Sequence, residues 1–217
     1  MTRGRFITLE GGEGAGKSTQ VRLLAQWLGA QGREVVATRE PGGAAGAEEI
    51  RKLLVQGTAD RWDALTETLL HYAARRDHLH RTILPALAAG RWVISDRFSD
   101  STMAYQGYGH GVDRDFIAAL DRAVVGEHRP DLTLLLDLPV EQGLRRATAR
   151  PGHENRYEAM DRAFHERLRQ GFLAIAGAEP KRCRVVPATA DIDTVQARLR
   201  AAVAARFAAE LPQIVAG

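Results

Sequence analysis

Along the chain, short β-rich runs alternate with segments whose apolar positions recur every three or four residues. The short runs are Arg5–Glu10, Glu34–Thr38, Arg91–Asp96, Asp131–Leu138 and Arg184–Val186. Between them, helical spacing appears at Val21, Leu24 and Leu28, and again at Ile50, Leu53 and Leu54. A long helix is predicted from about Asp63 to Ala89, with Leu65, Leu69, Tyr72, Leu79 and Ile83 facing inward. Phe116, Ile117, Leu120 and Val124 mark another helix, and Val195, Leu199, Val203 and Phe207 the last. This alternation is the signature of a parallel sheet with crossover helices. It predicts an α/β fold, a five-stranded parallel sheet flanked by helices. No repeat, low-complexity tract or linker divides residues 1–217, so a single domain is expected.

Composition narrows the picture. The 217 residues are 45% hydrophobic and 26% charged, which suits a globular core and argues against disorder or a coiled coil. No apolar run approaches the roughly 18 residues needed to span a bilayer, and Met1–Arg5 leads into a strand without a signal-peptide core, so neither a membrane nor export is expected. The lone Cys183 excludes an internal disulfide and suits a reducing cytoplasm. The net charge of +3 is spread along helices without a like-charge block, so nucleic acid is not expected as a partner.

One motif carries chemistry by itself. Gly11-Gly12-Glu13-Gly14-Ala15-Gly16-Lys17-Ser18 fits the phosphate-loop pattern, follows a predicted strand and opens a predicted helix that continues through Thr19. Its glycines let the backbone wrap an anion, and successive N–H groups with the helix N-terminus supply positive potential. Lys17 would reach the β- and γ-phosphates of a nucleoside triphosphate, and the Ser18 hydroxyl would ligate Mg2+. Asp96, at a strand end, would order the same ion through water. The fold class is therefore that of the P-loop nucleotide-binding proteins. A guanine-reading Asn-Lys-x-Asp is absent, since Asn155 is the only asparagine and Arg156 follows it. A small nucleotide kinase remains.

Further segments bear on the substrate: Thr38-Arg39-Glu40-Pro41-Gly42-Gly43, Tyr72-Ala73-Ala74-Arg75, Asp96-Arg97-Phe98, Ser101 to Gly107, and Arg129-Pro130-Asp131-Leu132-Thr133. In this order with the phosphate loop, they resemble the bacterial thymidylate kinase family over essentially the whole chain. The resemblance implies transfer of the ATP γ-phosphate to dTMP, a cytoplasmic location and a homodimer. It implies that Arg97 and Arg51 hold the acceptor phosphate, that Arg75 reaches the thymine edge and that Thr102 and Gln106 lie near the base, with Ser101 beside them. It implies that Tyr105 abuts the sugar 2′ position, and that Glu13 organises the sugar or an arginine near it. Arg39 adds to the cations that two phosphate-bearing ligands require. For Arg51, a helix-surface arginine is the alternative reading. His71 stands where the family usually has a phenylalanine stacked on thymine, which offers less apolar area and a group that can be protonated.

Residues 145–157 form the expected lid, a helix broken at Pro151-Gly152 with arginines on both sides. The phosphate loop lacks an arginine, and the family then supplies the catalytic one from the lid. Arg150 is the best match, with Arg146, also expected near ATP, and Arg156 as neighbours. No metal-ligand spacing suggests a structural metal. A kinase for another nucleoside or nucleotide, or a nucleotide-binding module without turnover, are the alternatives.

Overall fold

A computed structural model describes residues 3–58, 60–149, 156–158 and 160–211. Five strands, β1 (Phe6–Glu10), β2 (Val35–Arg39), β3 (Trp92–Asp96), β4 (Leu132–Asp137) and β5 (Cys183–Pro187), form one sheet in the order β2-β3-β1-β4-β5. All pairings are parallel, with Ile7 opposite Leu132 and Leu9 opposite Asp96. The carboxyl ends of the strands therefore share one edge, where open α/β sheets bind ligands.

The strands alternate their apolar side chains between two cores. On one face Ile7, Leu9, Ile94, Leu134 and Leu136 pack against α1 (Lys17–Ala30) and α9 (Ile192–Arg206), with Val195, Leu199, Val203 and Phe207 buried as the spacing predicts. On the other, Phe6 and Val93 meet Leu79, Ile83 and Leu87, while Leu135 lies under α8 (Arg162–Ala178). The remaining helices are α2 (Ala45–Val55), α3 (Ala64–His78), α4 (Leu84–Ala88), α5 (Ser99–Thr102), α6 (Arg114–Val124) and α7 (Val140–Thr148). Asp63, Asp113, Asp161 and Asp191 cap α3, α6, α8 and α9 by accepting from first-turn amides. The start of α1 has no such side-chain cap.

Two expectations about the long helix need correction. Leu65 and Leu69 do not face inward; each is 47% exposed on the outer side of α3. Their spacing of four marks one helical face but does not say what covers it. The helix also widens into a π segment at Leu79–Ile83, where the Leu84 N–H bonds to the Leu79 carbonyl. Pro85 explains this, because its ring would clash with the carbonyl one α-turn earlier and it has no N–H to offer. A second π segment, Met103–Gly109, follows α5 and carries Tyr105 and Gln106 into the interior.

Candidate active site

The phosphate loop leaves β1 at the centre of the sheet. Gly14 has a φ of 66°, and a Cβ there would lie 2.0 Å from the Gly143 carbonyl oxygen, so both backbone conformation and space demand glycine. Lys17 curls back over the loop and donates to the Gly11 and Gly12 carbonyls at 3.0 and 2.8 Å. Burial and the nearby Arg97 guanidinium push its ammonium down to about 8. The Ser18 hydroxyl donates to Asp96 Oδ2 at 2.6 Å. With the first turn of α1 uncapped, its amides are open to an anion.

Arg97, next along from Asp96, has a φ of 70°, in the left-handed region that a residue with a Cβ occupies only under restraint. The restraints come from both sides. Its N–H donates to the Leu9 carbonyl, Ser95 Oγ donates to its carbonyl, and Glu10 accepts from the Phe98 N–H at 2.7 Å and from Ser101 Oγ at 2.5 Å. The guanidinium bonds Glu13 Oε1 at 2.9 Å, the Gly11 carbonyl at 3.1 Å and Ser101 Oγ at 3.3 Å, and stacks 4.8 Å from the centre of the Tyr105 ring. Tyr105 donates to the same Glu13 oxygen at 2.6 Å. Burial alone would raise the Glu13 carboxyl, but Arg97, Lys17 and the Tyr105 hydroxyl together hold it at about 2.

Next to this pair lies a cavity of about 330 Å3. It is lined by Glu13 to Ser18 and by Arg39, Arg51, His71, Arg75, Asp96, Arg97, Ser101, Thr102, Tyr105 and Gln106, among others. Arg51, on α2, lines this cavity, and its Nη1 donates to the Pro41 carbonyl at 2.6 Å. Arg39 reaches Glu48 at 3.0 Å. Arg75 is buried between Tyr72 and Phe98, with Nε on Glu40 and Nη2 on the Phe98 carbonyl and Thr102 Oγ1. Among the described residues its Nη1 has no partner, a buried donor in need of one. His71 Nε2 lies 3.1 Å from the Tyr157 hydroxyl, and burial with Arg75 and Arg97 pushes its imidazole down to about 3.

Some expected groups stand apart. Arg146 is not in the cavity wall; it reaches the Ala188 and Thr189 carbonyls beyond β5 at 3.1 and 3.4 Å. Gly11 and Gly12 line a smaller space of about 30 Å3 behind the loop, and Thr19 sits on α1 beyond the cavity lining. Arg150, with residues 151–155 of the expected lid, lies outside the described residues.

The thymidylate kinase family model matches residues 9–199. The chain belongs to the thymidylate kinase family. It is 57% identical to the thymidylate kinase of Caulobacter vibrioides over 207 residues, covering 95% of this chain and 99% of that protein. The thymidylate kinase of Afipia carboxidovorans is 53% identical, over 97% of this chain and 93% of its own. The crystal structure of thymidylate kinase from Ehrlichia chaffeensis superposes with a TM-score of 0.73 at 36% identity, covering 93% of this chain and 99% of that one.

In this thymidylate kinase family member, several site residues had no role expected of them from the sequence. Glu40 accepts from Arg75 at 2.8 Å and meets His78 Nδ1 at 3.0 Å, and Glu10 braces Arg97. Glu67 and Tyr157 form a polar cluster with Gln106 and Arg156. Glu67 was within reach of sequence reasoning, because it precedes His71 by four residues and Arg75 by eight on one helical face.

Proposed function

We propose that the chain transfers the γ-phosphate of ATP to dTMP, giving dTDP and ADP, and that the residues above perform the transfer. The observation that carries this reading is the Glu13–Arg97 pair. One partner belongs to the phosphate loop and the other to the end of β3, so the donor and acceptor sites share a wall fixed at 2.9 Å.

The acceptor phosphate, with a second pKa of about 6, is mostly dianionic at neutral pH. Its oxygen therefore attacks without a protein base. What the protein must supply is alignment and charge neutralisation. Lys17 and the loop amides hold the donor phosphates, while Arg97, Arg51 and Arg39 gather around the acceptor phosphate. Arg75 offers its unpartnered Nη1 to the thymine edge, with Thr102 and Gln106 beside it. Tyr105 packs against the sugar. The lid, expected at residues 145–157, would bring Arg150 to the transferring group, while Arg146 stays on the Ala188 and Thr189 carbonyls.

Mg2+ fits this donor set. Ser18 and Asp96 present one hydroxyl and one carboxylate at the uncapped helix start. Mg2+ prefers such sparse sites, where phosphates and water fill its shell. The ion would neutralise charge on the transferring phosphate.

The exposed Leu65 and Leu69 on α3, with Phe116 at 38% exposure on the adjoining α6, support a homodimer through this face. Leu69→Arg should then halve the mass seen by light scattering; an unchanged mass would refute the interface. The buried Cys183, its thiol pushed up to about 12 by burial, suits a cytoplasmic setting. Among the described residues no helix is long and apolar enough to cross a membrane.

The function is tested by ADP release with ATP, Mg2+ and a panel of dTMP, dUMP, dCMP, dGMP, UMP and thymidine. Turnover should be fastest with dTMP, weaker with dUMP and negligible with the rest. Preference for thymidine would mean that the arginines around the acceptor phosphate have been misread.

A further inference from the structure

Glu67 is a carboxylate on α3, 1% exposed, that phosphoryl transfer itself does not use. Three donors converge on it. Gln106 Nε2 reaches Oε1 at 2.7 Å, the Tyr157 hydroxyl reaches the same oxygen at 2.8 Å, and Arg156 Nη1 reaches Oε2 at 2.5 Å. A carboxylate facing a guanidinium can only accept, so the Gln106 amide has one permitted sense, with its nitrogen toward Glu67. Gln106 is itself 1% exposed and lines the cavity, which leaves the amide no room to turn without breaking this bond.

We propose that Glu67 is a positioning residue that sets base specificity. By engaging the amide nitrogen it presents the Gln106 carbonyl to the cavity as a fixed acceptor. A pyrimidine that carries N3–H, as thymine and uracil do, can donate to that oxygen. A cytosine-type base, whose N3 is a bare lone pair, meets it acceptor against acceptor and leaves both groups buried without a partner. The discrimination comes from the direction of a dipole, and the direction comes from a residue that does not touch the base. This inference rests on dTMP being the acceptor.

Glu67→Gln tests it with almost no change in size. A hydrogen bond to a charged donor is the stronger one, so the introduced amide turns its oxygen to Arg156 and its nitrogen to Gln106. Gln106 must then reverse and offer nitrogen to the cavity. The ratio of kcat/KM for dTMP over dCMP should fall by at least about tenfold in Glu67→Gln. The same substitution in a Gln106→Leu background should leave that background's ratio unchanged, because no amide remains to be oriented. Equal losses on both acceptors, or a ratio shift that persists without Gln106, would overturn the proposal in favour of a merely structural carboxylate.

If Glu67→Gln shows no cooperative thermal transition, Gln106→Leu carries the test, because it removes the oriented carbonyl and leaves Glu67 in place. Its ratio of kcat/KM for dTMP over dCMP should fall by at least about tenfold, and an unchanged ratio would overturn the proposal. A wild-type protein that binds ATP but phosphorylates no dTMP would instead overturn the functional reading, and this inference with it.

Discussion

Replacing Glu10 with alanine removes the acceptors for the Phe98 N–H, next along the backbone from Arg97, and for Ser101 Oγ. The Phe98 N–H, bonded to Glu10 at 2.7 Å, is left buried without its partner, a loss of about 1–3 kcal/mol. Arg97 must then keep its φ of 70° with fewer restraints, in a conformation that costs a non-glycine residue about 1–3 kcal/mol. Part of this is offset. Burial, reinforced by Asp100, pushes the Glu10 carboxyl up to about 8 from 4.5, so the substitution also removes an ill-solvated acid. A net destabilisation of about 2 kcal/mol near pH 7 follows, or a Tm lower by about 4–8 °C for a chain of this size. The larger effect falls on turnover, because displacing the Arg97 guanidinium by about 1 Å costs on the order of 100-fold in kcat. Glu10→Gln keeps an acceptor for Phe98 N–H and should recover most of that loss. The pH dependence gives an independent reading. A raised carboxyl pKa means the folded state binds more protons, so the stability Glu10 contributes is complete below about 4.5 and lost as pH rises through about 8. Denaturation curves of Glu10→Gln should lack that decline. Turnover in Glu10→Ala within about threefold of wild type would refute the bracing role.

Four further outcomes are expected. His71, held near 3, stays neutral from pH 5.5 to 8. Calorimetric dTMP affinity of wild type and His71→Phe should therefore share one pH profile, set by the second ionisation of dTMP at about 6, and profiles that diverge in shape would place a charge on the imidazole. Because the unfolded chain binds the extra proton, His71 should also lower stability as pH falls from about 6.5 toward 3. Gly14→Ala puts a methyl 2.0 Å from the Gly143 carbonyl and should weaken ATP binding, read by a fluorescent analogue, by at least about tenfold; unchanged affinity would show that the loop relaxes. Tyr105→Phe deletes the hydroxyl that donates to Glu13 and should lower kcat by roughly tenfold, whereas an effect on KM alone would make the hydroxyl a binding group only.

The sequence made the sheet legible because each strand is a short apolar run ending in a charged or turn residue, and all five ends lie within about two residues of expectation. It made α9 legible because Val195, Leu199, Val203 and Phe207 have an unbroken core to face. The same spacing misled at Leu65 and Leu69, since periodicity identifies an apolar face and is silent on whether the chain itself covers it. The π segments were illegible, although Pro85 was a signal for the first. The second has no such marker, yet it turns Tyr105 and Gln106 inward. Among site residues, the loop glycines, Lys17, Ser18, Asp96 and the arginines were legible as motifs. Glu13 was legible within the phosphate loop, and Glu40 stood in the Thr38–Gly43 segment without a role, but Glu10 and Glu67 look like any other acid in a chain that is 26% charged.

The acids of the site explain how a cluster of cations can exist before any anion arrives. Arg97 is paired with Glu13, Arg75 with Glu40 and Arg156 with Glu67. Burying an unpaired guanidinium would be prohibitive, so each acid makes its arginine tolerable in the interior. The geometry does more than neutralise. A guanidinium has five N–H groups in a rigid plane, and a carboxylate fixing one edge sets the direction of the other. Arg75 is the clearest case, with Nε on Glu40, Nη2 on the backbone and Thr102, and Nη1 left over. Its rotamer is thus set before a base is present, and ligand binding needs little reordering of that side chain. A lysine at such a position would keep the charge and lose the direction. Arg75→Lys should accordingly cost affinity for the acceptor even where Glu40 still finds a cation to pair with.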